Sequence, residues 1–247
     1  MLHWRKRCGE GRTVERLDKR LAATGRWSRK EAKELIRSGR VTVDDQVCRV
    51  PEEKVAAGAR VQVDGAALEG TGPVYLMLNK PAGLVSATED PRQPTVLCLL
   101  PERYRRLGLF PAGRLDKDTE GLLLLTNDGP LAHRLLSPRY HVDKVYYLEV
   151  DGVLEPSDCR AVEQGMELAD GTVCRPGVLE TLPGGRAARL TIREGKYHQV
   201  KRMMAARGKP VTYLKRVAFG PLKLDETLPG GGWRALTEEE IQALFRQ

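Results

Sequence analysis

Residues 110–129, FPAGRLDKDTEGLLLLTNDG, join a charged loop to a strongly apolar segment. The apolar run Leu122–Thr126 is followed by the turn-forming residues 127–129, which is the pattern of a buried β-strand that ends in a turn. The loop before the strand contains Gly113, Arg114, Asp116, Asp118, Glu120 and Gly121. Because charged side chains are costly to place beside a hydrophobic core, this loop is a candidate functional site.

Three interpretations of the charged loop follow from its residues alone. A calcium loop of the EF-hand type is disfavoured, since the twelfth position counted from Asp116 is Asn127 rather than Glu. A hydrolase that uses Asp116 and Asp118 as paired acid and base is a second alternative. The third is a charged turn whose carboxylates accept backbone N–H bonds. The loop by itself does not decide between a site and a turn.

Further strands are indicated on both sides of this segment. The apolar runs are Val74–Leu78, Val145–Val150, Leu190–Ile192 and Val211–Leu214. A helix is indicated around residues 200–204, and a last helix begins at the capping box of Thr237 and Glu240. Many strands with few helices between them predict an α+β domain with a mixed, mainly antiparallel sheet. The sequence has neither G-x-G-x-x-G nor G-x-x-x-x-G-K-[ST], so no nucleotide-binding loop is indicated.

The N-terminal part reads as a separate, small α/β unit. Leu17 and Leu21 lie four residues apart, as on one face of a helix, and Ser28 with Glu31 forms a capping box that opens a second helix. Short strands are indicated at Val41–Val43 and Val61–Val63. We therefore divide the chain into a basic extension (1–13), a small N-terminal domain (14–65), a small-residue linker (66–72) and a larger C-terminal domain (73–247).

Positive charge is concentrated in two segments of the 247-residue chain, whose net charge is +8. Residues 1–40 hold 13 Lys/Arg against 5 Asp/Glu, and residues 189–216 hold 9 against 1. Such clusters are typical of surfaces that bind a polyanion, and they favour nucleic acid as partner. The candidate RNA contacts of the first segment are Arg16, Lys19, Arg29, Lys30, Lys33, Arg37 and Arg40.

Composition excludes several other classes of protein. Five scattered cysteines without a C-x-x-C pair indicate neither a disulfide framework nor a zinc site. No apolar run is long enough to span a bilayer, and no secretory signal is visible, so we expect a cytoplasmic protein that has no membrane partner.

Residues 15–65 resemble the S4 RNA-binding domain, with SRKEAKELIRSGRVTVD (28–44) as the specific core. The resemblance implies structured RNA as the partner. It says nothing about chemistry, because S4 modules accompany many activities.

The rest of the chain resembles pseudouridine synthases. Their catalytic motif is similar to residues 110–129, and three further segments match in order: residues 75–101 (YLMLNKPAGLVSATEDPRQPTVLCLLP), 133–150 (HRLLSPRYHVDKVYYLEV) and 190–208 (LTIREGKYHQVKRMMAARG). The combination of NKP, HQVKRM and an S4 domain resembles the branch that modifies small-subunit rRNA. The large-subunit branch is the alternative.

The resemblance implies a role for each matching residue. Asp116 matches the nucleophile that participates covalently in the isomerisation of uridine. Arg114 matches a position near the flipped nucleotide, and Tyr146 matches the aromatic residue that packs on the flipped base, with Tyr147 expected in the core. Lys201 matches the cation that pairs with the nucleophile.

Other residues of the HQVKRM motif receive different expectations. Arg202 is expected to face RNA. His198 is expected to be a hydrogen-bonded structural histidine. Met203 and Met204 are expected on the side of a helix that packs into the hydrophobic core.

The implied reaction needs no metal and no organic cofactor. The expected partner is rRNA or a ribosomal-subunit assembly intermediate rather than DNA, and we expect a monomer. A non-catalytic RNA-binding or ribosome-assembly protein is the competing hypothesis, and the hydrolase stays a third.

Overall fold

The computed structural model describes residues 14–68, 70, 72–137, 140 and 142–246. The predicted basic extension, residues 1–13, lies outside the described residues. The described chain divides into two compact units. The N-terminal unit contains the described residues up to Gly72 together with Pro101–Gly108, and the C-terminal unit contains Pro73–Leu100 and the described residues from Leu109 onward.

The N-terminal unit is built from short strands and helices. Its elements are β1 (Val14–Arg16), α1 (Leu17–Ala22), α2 (Arg29–Arg37), β2 (Val41–Val43), β3 (Gln46–Cys48), β4 (Lys54–Ala56), β5 (Val61–Val63), β6 (Ala66–Ala67) and α3 (Glu102–Arg105). β1 pairs with β4, and a second sheet has the order β3-β2-β5-β6. Residues 66 and 67, which the sequence places in the linker, therefore form an edge strand.

Two features of the N-terminal unit that were predicted from the sequence are present in the structure. The capping box of Ser28 and Glu31 is present, with both reciprocal hydrogen bonds at the start of α2. The apolar side of α2, formed by Ala32, Leu35 and Ile36, packs into a core with α1 and the strands.

The C-terminal unit contains one large sheet with helices packed on it. The strands of this unit are β7 (Tyr75–Lys80), β8 (Phe110–Pro111), β9 (Glu120–Thr126), β10 (Lys144–Val150), β11 (Met166–Glu167), β12 (Val173–Cys174), β13 (Val178–Thr181), β14 (Ala187–Ile192), β15 (Val211–Phe219), β16 (Leu222–Lys223) and β17 (Trp233–Ala235). β11 and β12 pair with each other in a separate two-stranded sheet. The helices of this unit are a 3₁₀ turn (Val96–Leu99), α4 (Gly129–Leu136), α5 (Pro156–Gln164), α6 (Gln199–Ala206) and α7 (Glu238–Phe245).

The large sheet has the order β13-β14-β10-β15-β9-β7-β17. The pair β9–β15 is parallel, and the other pairs along this order are antiparallel. The predicted α+β class with a mainly antiparallel sheet is thereby confirmed. β9 lies between β15 and β7, and its residues Leu122–Leu125 are fully buried, which explains the uninterrupted apolar run of the sequence.

An irregularity in β15 sets which side chains share a face of the sheet. Tyr146 of β10 pairs with Arg216, and the preceding Val145 pairs with Ala218, so Val217 is an extra residue in β15. Because of this bulge, Arg216 and Phe219 lie on the same face although they are three residues apart.

Candidate active site

A buried lysine fixes the backbone of the charged loop. Lys80 ends β7 and is fully buried. Its ammonium donates hydrogen bonds to the carbonyl oxygens of Pro81, Lys117 and Thr119, at 3.0, 3.1 and 2.8 Å. The three protons of the ammonium thus meet three acceptors. Burial lowers the pKa of Lys80 to about 8, although the carboxylates of the loop act in the opposite direction.

Further hydrogen bonds hold the same loop. The hydroxyl of Ser86 accepts from the N–H of Leu115 at 3.1 Å and donates to the carbonyl of Leu115 at 2.9 Å. The N–H of Thr119 donates to the carbonyl of Asp116 at 3.1 Å, which closes a turn. The backbone of Asp116 is therefore fixed on both sides.

Gly121 is required where the loop enters β9. Its φ is +99°, and a Cβ atom built there would lie 2.2 Å from the carbonyl oxygen of Arg216 in the parallel neighbour β15. Only glycine fits so close to another backbone.

Two groups from the segment around α6 approach the carboxylate of Asp116, whose side chain is 28% exposed. The Nζ of Lys201 lies 3.5 Å from Oδ2, and Nε2 of His198 lies 3.7 Å from Oδ1. Lys201 also donates a hydrogen bond of 2.5 Å to Asp118, which lowers the pKa of that carboxyl. Lys201 is therefore shared between two acids and holds the shorter contact with the more exposed one.

The start of α6 has an unusual backbone. His198 precedes the helix with φ +48°, in the left-handed region, and its ring stacks on the ring of Tyr197 at 3.9 Å. The side chain of Tyr197 is 76% exposed. His198, expected as a structural histidine, thus lies at the site with its ring between Tyr197 and Asp116.

Buried polar groups support α6 at both ends. At its start, the amide of Gln199 donates to Glu194 at 2.7 Å and accepts from the N–H of Lys196 at 3.0 Å. Past its end, Arg207 donates to the fully buried carboxylate of Asp158 at 2.8 Å. These contacts hold the helix that carries Lys201.

Tyr146 lines a pocket of about 70 Å³ beside Asp116. The pocket is lined by Arg114, Leu115, Asp116, Thr119, Tyr146, Ile192, Gly195, Lys196, His198, Gln199, Val200 and Leu214. Tyr146 is 8% exposed, whereas Tyr147 is half-buried on the opposite face and makes an edge contact with Tyr213. The expectation that Tyr147 is the core residue of the pair is wrong, because alternation along β10 turns Tyr146 inward.

The predicted RNA contacts have different surroundings. Arg202 is bound within the protein by Asp170, Thr172 and the carbonyl of Tyr197, so the structure gives it an anchoring role. On the N-terminal unit, Arg16 contacts Asp18 and Glu52, Arg29 lies 3.8 Å from Asp18, and Arg40 pairs with Asp64. Lys19, Lys30 and Arg37 are exposed, and Lys33 is half-buried.

The sequence reasoning did not find Lys80 and Ser86. Both lie in the matched segment 75–101, but their contacts are with residues about thirty to forty positions later. The available signal was a lysine that directly follows the buried run of β7, where a charge needs acceptors.

The described residues contain no group of three or more His, Cys, Asp or Glu side chains that could hold a metal ion. No helix within those ranges has both the length and the apolar character needed to cross a membrane.

Comparison with protein families identifies both parts of the chain. Residues 74–206 match the RNA pseudouridylate synthase family, and residues 15–61 match the S4 domain. The chain is 46% identical over 233 residues to an RNA pseudouridine synthase of Bacillus subtilis (strain 168), covering 93% of this chain and 98% of the relative. It is 43% identical over 231 residues to ribosomal small subunit pseudouridine synthase A of Escherichia coli (strain K12), covering 93% and 99%.

A solved structure agrees with the sequence matches. A crystal structure of a pseudouridylate synthase superimposes with a TM-score of 0.66 at 36% identity, covering 93% of this chain and 99% of the other. The chain therefore belongs to the RNA pseudouridylate synthase family, as a member with an S4 domain, and it is a pseudouridine synthase, an isomerase.

Proposed function

We propose that this protein converts one uridine of small-subunit rRNA to pseudouridine, with Asp116 as the nucleophile. The observation that carries the proposal is the position of Asp116 at a pocket that also contains Tyr146 and Arg114, with Lys201 3.5 Å from its carboxylate. The relatives named ribosomal small subunit pseudouridine synthase A support the choice of the small subunit.

The proposed chemistry uses groups that surround the pocket. The target uridine leaves its stack, and its base packs against the ring of Tyr146. The carboxylate of Asp116 forms a covalent bond with the nucleotide while the N-glycosidic bond breaks, the base rotates, and a C–C bond forms at C5. The bond to Asp116 then breaks, C5 loses its proton and N1 gains one, so the product is an isomer of the substrate. Lys201 supports the ionised form of Asp116, and Arg114 holds the nucleotide at the mouth of the pocket. The reaction is balanced without metal, redox partner or hydrolysis.

The N-terminal unit is proposed to bind the phosphate backbone of the rRNA. Arg29, Lys33 and Arg37 are spaced four residues apart on α2 and form a basic stripe that borders its buried face. Such a stripe of positive charge fits a phosphate backbone. The substrate is then free rRNA or an assembly intermediate in the cytoplasm, and the protein acts as a monomer.

The test is pseudouridine mapping of rRNA from cells that lack the gene, complemented by wild type or by Asp116→Asn. We expect one small-subunit position to lose pseudouridine in the deletion strain, to regain it with wild type, and to stay unmodified with Asp116→Asn. The matched control is Asp151→Asn, an exposed aspartate outside the pocket, which should restore the modification.

Other outcomes point to the alternatives. A position lost only from large-subunit rRNA would move the protein to the other rRNA branch. Release of free uracil from RNA by the purified protein would favour a hydrolase. If no position changed, the non-catalytic RNA-binding hypothesis would replace the proposal.

A further inference from the structure

Beside the pocket of Asp116 lies a second, larger cavity of about 620 Å³. The two cavities share Arg114, Tyr146, Gly195 and Lys196 in their walls, so they are neighbours. The larger cavity is lined by Gly113, Arg114, Leu136, Lys144, Tyr146, Arg175, Arg193, Glu194, Gly195, Lys196 and Arg216. Its ionisable lining is mainly cationic, with Glu194 as the single carboxylate among these residues.

Arg216 is the unusual member of this lining. Its side chain is 2% exposed, and its Nε donates to the carbonyl of Leu122 at 2.8 Å. Its Nη2 is buried and has no hydrogen-bond partner among the described residues. A buried guanidinium donor without an acceptor is costly, and an anion in the cavity would supply one.

Lys144 places a second cation beside Arg216. The Nζ of Lys144 and the guanidinium carbon of Arg216 lie over the ring of Phe219, at 5.7 and 5.0 Å from its centroid. Burial and the neighbouring Arg216 lower the pKa of Lys144. Within the described ranges neither cation forms a salt bridge with a carboxylate. Lys144 donates a hydrogen bond to the carbonyl of Val142, and Arg216 donates one to the carbonyl of Leu122.

The other charges of the cavity are partly neutralised. Arg193 pairs with Asp143 at 2.7 Å, and Lys196 lies 3.6 Å from Glu194. Arg216 and Lys144 thus contribute positive charge to the cavity that no salt bridge among the described residues compensates. A neutral carbonyl of a base would satisfy one donor but would leave this charge uncompensated, whereas a phosphate oxygen does both.

We propose that Arg216 and Lys144 form a phosphate site that holds a phosphodiester of the RNA next to the nucleotide at Asp116. The assignment to RNA rests on the proposed function, while the anion site itself rests on the cavity. Charge-assisted hydrogen bonds from two preplaced cations would fix the backbone on one side of the flipped nucleotide.

The first test measures binding of inorganic phosphate to the full-length protein by calorimetry at constant ionic strength. We expect Lys144→Gln to weaken binding about tenfold or more, because a charge-assisted hydrogen bond is lost. Arg216→Lys, which keeps the charge but removes Nη2, should weaken it similarly. The matched control is Lys215→Gln, since Lys215 is the neighbour in β15, pairs with Tyr147 and lies on the opposite face of the sheet. Thermal melts establish that each variant is folded.

The second test measures single-turnover kinetics with a small-subunit rRNA transcript. Lys144→Gln should raise the protein concentration for half-maximal rate about tenfold, and Lys215→Gln less than twofold. Unchanged phosphate binding in folded Lys144→Gln and Arg216→Lys would overturn the anion site. Weaker phosphate binding with unchanged RNA kinetics would overturn its assignment to RNA. If wild type formed no pseudouridine, the proposed function would fail, and the phosphate measurement would still decide the anion site.

Discussion

The basic residues of α2 in the N-terminal unit are exposed or half-buried, whereas Lys80 and Arg216 of the C-terminal unit are buried and donate hydrogen bonds to backbone carbonyls. Exposed charges are screened by salt, and each contributes little to a fixed geometry. Buried charges are held by specific acceptors, and the loss of one changes the structure around it. Under the proposed function, we expect the first set to provide affinity for RNA and the second to provide the placement of reacting groups.

The largest expected effect is that of the nucleophile. Asp116→Asn should reduce the rate of pseudouridine formation by at least about a thousandfold, because covalent participation is lost. RNA affinity should stay within about twofold of wild type, since the stripe on α2 is unchanged. Single-turnover assays and filter binding with the same transcript measure both quantities. If Asp116→Asn lost RNA affinity to a similar extent as rate, the separation between residues for binding and residues for chemistry would be wrong.

The second-largest effect is expected when the buried Lys80 is replaced. Lys80→Met leaves three carbonyls of the loop without their donor, so we expect destabilisation by about 1–3 kcal/mol and a roughly hundredfold lower rate, as Asp116 shifts. Thermal or denaturant melts measure the first effect, and single-turnover assays the second. Wild-type stability with unchanged activity would contradict the role given to Lys80.

The same lysine makes a prediction about pH. Its pKa is lowered from 10.5 to about 8 in the folded protein, so the unfolded chain binds more protons between these values. The free energy of unfolding of wild type, minus that of Lys80→Met, should therefore rise as pH increases from about 8 to 10.5. Urea denaturation at several pH values measures this difference. If this difference stayed constant or fell between pH 8 and 10.5, the pKa of Lys80 would not be lowered in the folded protein.

A moderate effect is expected at the ring beside Asp116. Tyr146→Leu should lower the apparent second-order rate constant about ten- to hundredfold, since base stacking is worth roughly 1–3 kcal/mol. Tyr147→Leu is the matched control, because the neighbouring ring lies on the opposite face and contacts Tyr213. Equal losses in the two variants would point to general damage to β10 rather than to stacking.

The smallest effects belong to the exposed stripe. Lys33→Gln or Arg37→Gln should weaken RNA binding a few-fold, with the maximal rate unchanged. The slope of log K against log salt concentration should become shallower by about one unit, as for the loss of one phosphate contact. Arg60→Gln serves as control, since Arg60 pairs with Asp45 on the surface of the same unit. Filter binding at several salt concentrations measures the slope. A slope unchanged in both stripe variants would remove α2 from the RNA-binding surface.

Much of the fold was predictable because its determinants are local. The capping boxes at Ser28 and Thr237 depend on residues three positions apart, and both are present. The apolar run of β9 predicted a strand, and the structure buries its leucines completely. At the site, the motifs predicted Asp116, Arg114, Tyr146 and Lys201, which the fold brings close together.

The rest depends on contacts that local spacing does not encode. Two acceptors of Lys80 and the acceptor of Arg216 come from segments 37 to 94 positions away in the chain. The bulge at Val217 interrupts alternation in β15, so the face of Arg216 relative to Phe219 could not be read from the sequence. The pairing of Arg202 with Asp170 also joins distant segments, so the HQVKRM motif, from which Arg202 was expected to face RNA, did not indicate it.

The environment of Lys80 also determines its chemical reactivity. An amine that comes into contact with water can react with acylating reagents at alkaline pH, where part of it is neutral. Full burial under the loop prevents that reaction as long as the loop keeps its contacts. Acylation of Lys80, located by peptide mass spectrometry, therefore reports how often the loop that carries Asp116 opens, without any probe having to be introduced.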